Sequence, residues 1–191
     1  MKDLEKDLVL GNLVRAVELL ESSRSFSSLI PEIRSNLVFA LPDAKTIKEV
    51  AGIEGRITVV GGKPKAPGYP RFGASSHLAR SVLEIMKVNS SKRAAIVMKY
   101  DDDIERAVRT YCKENKLLVT LVNREREPQE IATREGESMG WIVRRAIELL
   151  GDAPDFLFST GGAGKEPTTK IFGSTAVEVA RRAIEISGRI Q

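Results

Sequence analysis

The sequence predicts an α/β domain. Short, β-branched apolar runs alternate with helices that carry one apolar face, Gly and Pro cluster between them, and 191 residues at 42% hydrophobic content suffice for a single core. Taken alone, this alternation suggests a doubly wound parallel sheet. A leading helix over residues 1–25 precedes the α/β unit over residues 26–191.

From Leu4 to Leu20, the residues Leu10, Leu13, Val14, Val17 and Leu20 fall at helical spacing and predict an amphipathic helix. After a polar break over Ser22–Ser28, SNLVFALP (Ser35–Pro42) reads as a buried strand stopped by its proline, with a short helix over Thr46–Val50 behind it. Arg56–Val60 forms a β-branched strand that runs into Gly61, Gly62 and three prolines, Pro64, Pro67 and Pro70, which stiffen a long loop. RFGASSHLAR (Arg71–Arg80) ends that loop, with Ser75 or Ser76 capping a helix whose Leu78, Ala79, Val82, Leu83 and Met86 share one face. A strand over Ala94–Met98, a helix over Ile104–Glu114, a strand over Leu117–Val122 and a helix over Ser138–Leu150 capped by Ser138 follow. Last come a strand over Asp155–Ser159, a glycine loop over Thr160–Lys165, a strand over Thr168–Phe172 and a helix opened by the capping box Thr175-x-x-Glu178.

Composition narrows the chemistry. One cysteine, Cys112, excludes an intramolecular disulfide, and one histidine, His77, leaves too few soft ligands for structural zinc. No apolar run approaches the ~18 residues of a membrane helix. The amino terminus mixes acids and bases before any apolar run, unlike a secretory signal, so the expected compartment is the cytoplasm. Two glutamines and five asparagines beside 29% charged residues fit a thermophile's composition.

The net charge is +4, but residues 61–100 hold eight Lys/Arg against one acid, so the cationic excess concentrates there and an anionic partner is expected at that block. The basic residues surround a Gly/Pro loop rather than a helix stripe, and no recognition-helix, zinc-finger or RNP-type pattern accompanies them. Small phosphorylated ligands are therefore favoured over nucleic acid.

Within that block, RFGASSHLAR puts Gly73, the Ser75 and Ser76 hydroxyls and free backbone N–H groups at a helix start, flanked by Arg71 and Arg80, which is a setting for anion binding. Gly73 would let backbone approach a phosphate and Arg71 could pair with two of its oxygens, while His77 stands in the first helical turn beside this site. The second signal, STGGAGKEP (Ser159–Pro167), is not a nucleotide-hydrolysing P-loop, because Ser159 replaces the first glycine and Glu166 follows Lys165 where Ser or Thr is required. It still follows a strand, so Gly161, Gly162 and Gly164 could give backbone access to a ligand and Lys165 a charge. Asp101–Asp103 either cap the next helix or bring carboxylates to magnesium, and Cys112 reads as a small core residue.

Together SNLVFALP, GRITVVGG, RFGASSHLAR, MKYDDD and GGAGKEP resemble the ThiN-type thiamine-phosphate synthase family, from about Leu29 to the C-terminal helix. RFGASSHLAR and GGAGKEP are the specific parts. The resemblance implies a three-layer α/β/α fold with a mixed sheet, similar to class II aldolases, in place of a parallel sheet. It implies condensation of hydroxymethylpyrimidine diphosphate with the thiazole phosphate to give thiamine phosphate and pyrophosphate. Carried onto this chain, it implies Arg56 and His77 as the catalytic pair, with Arg71, Gly73, Ser75, Ser76, Gly161, Gly162, Gly164 and Lys165 around the substrate phosphates. Magnesium would bridge the diphosphate, with Asp101 as a candidate ligand. Such domains often follow a hydroxymethylpyrimidine-phosphate kinase, so this chain resembles either a domain excised from a longer chain with a kinase domain or a stand-alone version, and residues 1–25 resemble the helical linker. An uncovered apolar face on that leading helix suggests a homodimer. Similar domains also act as thiamine-phosphate sensors behind helix-turn-helix domains, an alternative that the presence of Arg56 and His77 disfavours. A sugar-phosphate aldolase would need several histidines where this chain has one.

Overall fold

The computed structural model describes residues 2–134, 136–162 and 164–190; Ala163, within the predicted glycine loop, lies outside them. In chain order the elements are α1 (Lys2–Ser22), β1 (Leu37–Ala40), β2 (Val50–Ile53), β3 (Thr58–Val60), β4 (Lys63–Lys65), β5 (Pro70–Phe72), α2 (Ser76–Met86), β6 (Ala94–Lys99), α3 (Asp102–Asn115), β7 (Val119–Val122), α4 (Gln129–Ala132), α5 (Glu137–Leu150), β8 (Phe156–Ser159), β9 (Thr168–Gly173) and α6 (Ala176–Ser187). A seven-stranded sheet runs β5-β2-β1-β6-β9-β8-β7, and β3 and β4 form a separate hairpin. Only β7 and β8 pair in parallel; every other neighbouring pair in the sheet is antiparallel. The doubly wound parallel arrangement suggested by alternation is therefore corrected to a mixed sheet.

The pleat assigns alternate residues to two cores. Leu37, Phe39, Ile96, Phe156, Phe158 and Ile171 face a core completed by α1, α3 and α6. Val38, Ala40, Ala95, Val97 and Leu157 face a second core completed by α2 and α5. Helices thus cover both faces of the sheet. Val9, Leu13, Ala16 and Leu20 of α1 are fully packed into the first core, so the leading helix is part of the domain. Val14, expected on the apolar face, is exposed. Because α6 and the sheet cover the apolar face of α1, that face gives no reason for a dimer. Cys112 sits in the same core, where burial pushes its thiol up to about 12.

Several local readings change. The predicted helix over Thr46–Val50 is a single 3-10 turn over Ile47–Glu49, in which the Thr46 N–H donates to the Glu49 carboxylate at 2.9 Å, and Val50 already opens β2. The strand expected from Arg56 starts at Thr58, because Arg56 has φ +62° and cannot extend a strand. The N-cap of α5 is Gly136 rather than Ser138; its φ is +81° and the Arg80 guanidinium packs where a Cβ would stand. Thr175 does cap α6, its Oγ1 accepting from Glu178 N–H at 3.1 Å, while the Glu178 carboxylate accepts from Ser174 N–H. Among the described residues, no helix is long and apolar enough to cross a membrane.

Candidate active site

On the α2/α5 face, at the sheet edge where β6, β7 and β8 end and β1 and β9 begin, the chain leaves a cavity of about 420 Å³. The N-termini of α2 and α5 both open onto it, contributing His77 and Leu78 from the first and Gly136, Ser138 and Met139 from the second. The residue before α2, Ser75, makes no side-chain capping bond, because its Oγ is taken up by Asn36 Nδ2 at 2.5 Å, and a glycine precedes α5. First-turn N–H groups without caps favour a negatively charged occupant.

The lining charges are one-sided. Arg34, Arg56, Arg124, Arg134, Lys165 and Lys170 face a single carboxylate, Glu166. Glu166 is already engaged: its two oxygens accept from the backbone N–H groups of Glu32 and Ile33, each at 3.0 Å, tying the glycine loop to the turn that carries Arg34.

Arg34 and Arg56 share an unusual local geometry. Each ends a tight turn, the Arg34 N–H donating to Pro31 O at 2.9 Å and the Arg56 N–H to Ile53 O at 3.4 Å, and each is held in the left-handed region with φ +68° and +62°. The turns brace one another. Arg56 Nη1 donates to Ile33 O at 2.7 Å, Arg34 Nη1 donates to Gly55 O at 3.4 Å, and the next residues pair as the bridge Ser35↔Ile57. Left-handed backbone at a bulky residue costs on the order of 1 kcal/mol or more and persists where surrounding structure enforces it. Here it is used twice to aim guanidinium groups at one cavity.

The inner end is a buried polar network. Arg124 donates from Nη2 to Glu127 Oε2 at 3.1 Å and to Ser138 Oγ at 2.7 Å, while Ser138 donates to the other Glu127 oxygen. Lys165 Nζ reaches Ala132 O at 3.3 Å and Ser138 Oγ at 3.5 Å. Beside them Lys170, only 3% exposed, donates to Ser159 Oγ at 3.3 Å and Thr168 Oγ1 at 3.2 Å. Burial, reinforced by the Arg124 charge, pulls the Lys170 ammonium down to about 8. Asn36, in the wall, keeps Oδ1 buried without a hydrogen-bond partner.

Of the residues singled out in the sequence, Arg56, His77, Gly164 and Lys165 meet in the cavity. Others do not line it. Arg71, on edge strand β5, is an exposed side chain paired with Glu54 at 2.7 Å. Gly73 has φ +77°, which the turn into α2 requires, and open space where a Cβ would stand. Ser75 supports Asn36, and Ser76 Oγ lies 3.4 Å from His77 Nδ1. Gly161 and Gly162 belong to the loop turn closed by the bridge Gly162↔Lys165. Asp101 caps α3, accepting from Ile104 N–H at 2.9 Å, and among the described residues no three potential metal-ligating side chains cluster. With one engaged carboxylate in the cavity, the donor set does not fit a protein-held magnesium ion. Arg34, Arg124 and Lys170 were missed; the one available signal for Lys170 was a basic residue inside the apolar strand TTKIFG.

Fold and cavity together define a mixed-sheet α/β protein with a cation-lined pocket suited to anionic small molecules. The profile of the family "Thiamine-phosphate synthase ThiN" matches residues 12–185. The chain is 37% identical over 175 residues to the thiamine-phosphate synthase ThiN of Methanothermobacter thermautotrophicus, covering 92% of this chain and 90% of that one. It is 33% identical to the bifunctional thiamine biosynthesis protein ThiDN of Methanocaldococcus jannaschii, covering 98% of this chain and 42% of the relative's length. Among solved structures, the C-terminal domain of a phosphomethylpyrimidine kinase superimposes with a TM-score of 0.89 at 36% identity, over 97% of this chain and all of that one. A Thermus thermophilus L-fuculose-1-phosphate aldolase matches at a TM-score of 0.51 and 12% identity over 93% of this chain and 92% of that one, a likeness of fold alone. The chain belongs to the ThiN thiamine-phosphate synthase family.

Proposed function

We propose that the cavity joins hydroxymethylpyrimidine diphosphate to hydroxyethylthiazole phosphate, forming thiamine phosphate and releasing pyrophosphate. The observation that carries this reading is six cations facing one carboxylate that is already engaged. In the reaction the bond between the pyrimidine methylene carbon and the diphosphate oxygen breaks, its electron pair leaving on the diphosphate. The thiazole nitrogen lone pair forms the new C–N bond. Arg56, with Arg34 beside it, meets the negative charge that grows on the leaving group, which lowers the barrier because these cations are fixed before the charge appears. Exposed His77 at the start of α2 orients the ring or the diphosphate. Leu78, Val97 and Met139 supply the apolar wall for the rings, and Asn36 Oδ1 is ready to accept from a ring amine.

Magnesium carried in with the diphosphate would add positive charge to the leaving group, since the described residues of the cavity lining offer it no carboxylate cage. The fold likeness to an aldolase supports a class II aldolase-like three-layer scaffold, and the bifunctional relative supports a kinase as supplier of the diphosphate. The test is to incubate the chain with both substrates and magnesium, then follow thiamine phosphate through its fluorescent oxidation product. Equimolar thiamine phosphate and pyrophosphate are expected. Thiamine phosphate that raises the melting temperature without any turnover would move the chain to a sensing role.

A further inference from the structure

Lys170 is a buried cation without a counter-charge. Arg124, the other buried cation among the described residues, is paired with Glu127 at 3.1 Å, and the less buried Lys92 and Arg182 are paired with Asp155 at 3.0 Å and Glu178 at 2.7 Å. Lys170 has only the two hydroxyls of Ser159 and Thr168, and no carboxylate among the described residues lies within ion-pair distance. An ammonium has three donors, so one remains unmet. A buried charge is retained at a cost in stability unless something pairs with it. The charge that acts on it, Arg124, is of the same sign and already has its carboxylate. The partner that this group lacks is an anion brought by a ligand.

Its place in the sheet says which anion. Arg34 and Arg56 lie just before β1 and just after β2, whereas Lys170 is on β9, which is separated from β1 by β6. At about 4.8 Å per strand, the β1 and β9 backbones stand roughly 10 Å apart across the sheet, so the two sets of cations enter the cavity from different strands. Val97 of β6, opposite Lys170 in the register, lies in the apolar wall between them. The thiazole nitrogen approaches the methylene carbon from the side away from the departing diphosphate, so the two substrates' anions are best held on opposite sides of the reacting carbon. The diphosphate, at the breaking bond, belongs with the guanidinium pair, and the other end is left for a single phosphate.

We propose that Lys170, with the hydroxyls of Ser159 and Thr168, is a second, buried anion seat that takes the monophosphate of the acceptor substrate. The assignment rests on the synthase reading given above. The same burial that lowers the affinity of Lys170 for its proton would be offset by a phosphate dianion, whose arrival favours the charged ammonium.

The test is a KM split on Lys170→Met, supported by calorimetry with the thiazole phosphate alone. Lys170→Met is expected to raise the KM for the thiazole phosphate at least tenfold and leave the KM for the pyrimidine diphosphate within twofold, whereas Arg34→Asn, which tolerates left-handed backbone, shows the reverse. The melting temperature of ligand-free Lys170→Met should equal or exceed that of the parent, an outcome a merely structural lysine would not give. Thr168→Val, a smaller change, should shift the same KM in the same direction and serves if the methionine variant does not fold. An unchanged KM for the thiazole phosphate in an active Lys170→Met enzyme would overturn the seat and leave the synthase reading standing. A parent chain that makes no product, yet binds the thiazole phosphate in a Lys170-dependent way, would overturn the synthase reading and keep the seat.

Discussion

Residues 61–100 and the cavity are both cationic, and they differ in what their charges already touch. In the block, Lys65 pairs with Glu21 at 2.9 Å, Arg71 with Glu54 at 2.7 Å, Lys87 with Glu84 at 2.7 Å and Lys92 with Asp155 at 3.0 Å, while the Arg93 guanidinium lies 4.8 Å from the Phe39 ring centre. Three of those acids come from outside the block, so part of an excess counted along the chain is offset in space. The six lining cations come from outside the block too, and Arg34, Arg56, Lys165 and Lys170 have no carboxylate among the described residues within ion-pair distance. An exposed pair contributes ~0–1 kcal/mol and is screened by salt, whereas an unpaired cation in a low-dielectric pocket acts on an incoming anion several times more strongly. Unpaired charge that converges on one cavity, rather than charge density along the chain, locates the site.

The largest expected effect tests the paired half of the cavity. Glu127→Gln leaves Arg124, whose side chain is 6% exposed, beside Lys170 with no counter-charge; urea denaturation should report a loss of about 3–5 kcal/mol. A loss below ~1 kcal/mol would show that these cations are not electrostatically coupled. Next, Arg56→Asn, which keeps the left-handed backbone, should lower kcat ~100-fold or more, equivalent to ~2.7–4 kcal/mol of lost stabilisation, with little change in melting temperature. His77→Ala should fall in the same range, and near-normal rates in both would remove them from the chemistry.

Lys170 gives a pH signature. Its ammonium titrates near 8 in the folded chain against 10.5 for the free group, so between those values the unfolded state holds more protons and stability rises with pH. The penalty is fully present below pH 8 and is relieved by up to about 3 kcal/mol by pH 10.5. Thermal melts of the parent and Lys170→Met should therefore converge across this window, and parallel curves would contradict the unpaired charge. The smallest effect is expected in the block: Arg71→Ala should change kcat/KM by less than about twofold, because its guanidinium is exposed and held by Glu54. A tenfold loss would bring the basic block back into the site.

How much was legible in the sequence follows from which physical signals are local. β6, β8, β9 and the helices α2, α3, α5 and α6 announce themselves through apolar runs, helical spacing and caps. β2 does not, since Val50–Ile53 is four residues, includes Gly52 and is buried throughout, so it lacks alternation. β4 and β5 carry Pro64 and Pro70, which a sheet accepts only in edge or two-stranded settings. Within the site, His77 and Arg56 were reached through their motifs, and Lys165 and Gly164 through the glycine loop. Arg71 was misplaced because nothing local shows that Glu54 will be its neighbour. Arg34, Arg124 and Lys170 were invisible for a related reason: a single basic residue in a turn or strand reads as solvated, and only the folded structure shows that Arg34 and Lys170 meet no acid among the described residues and that Arg124 is buried beside Glu127.

The most direct test of where the unpaired charge lies is a crystal structure of the chain grown with inorganic pyrophosphate. The expected result is pyrophosphate inside the cavity, its oxygens within about 3 Å of the Arg34 and Arg56 guanidinium groups. Pyrophosphate bound instead against Lys63, Lys65 or Arg71 of the basic block, with the cavity unoccupied, would contradict it.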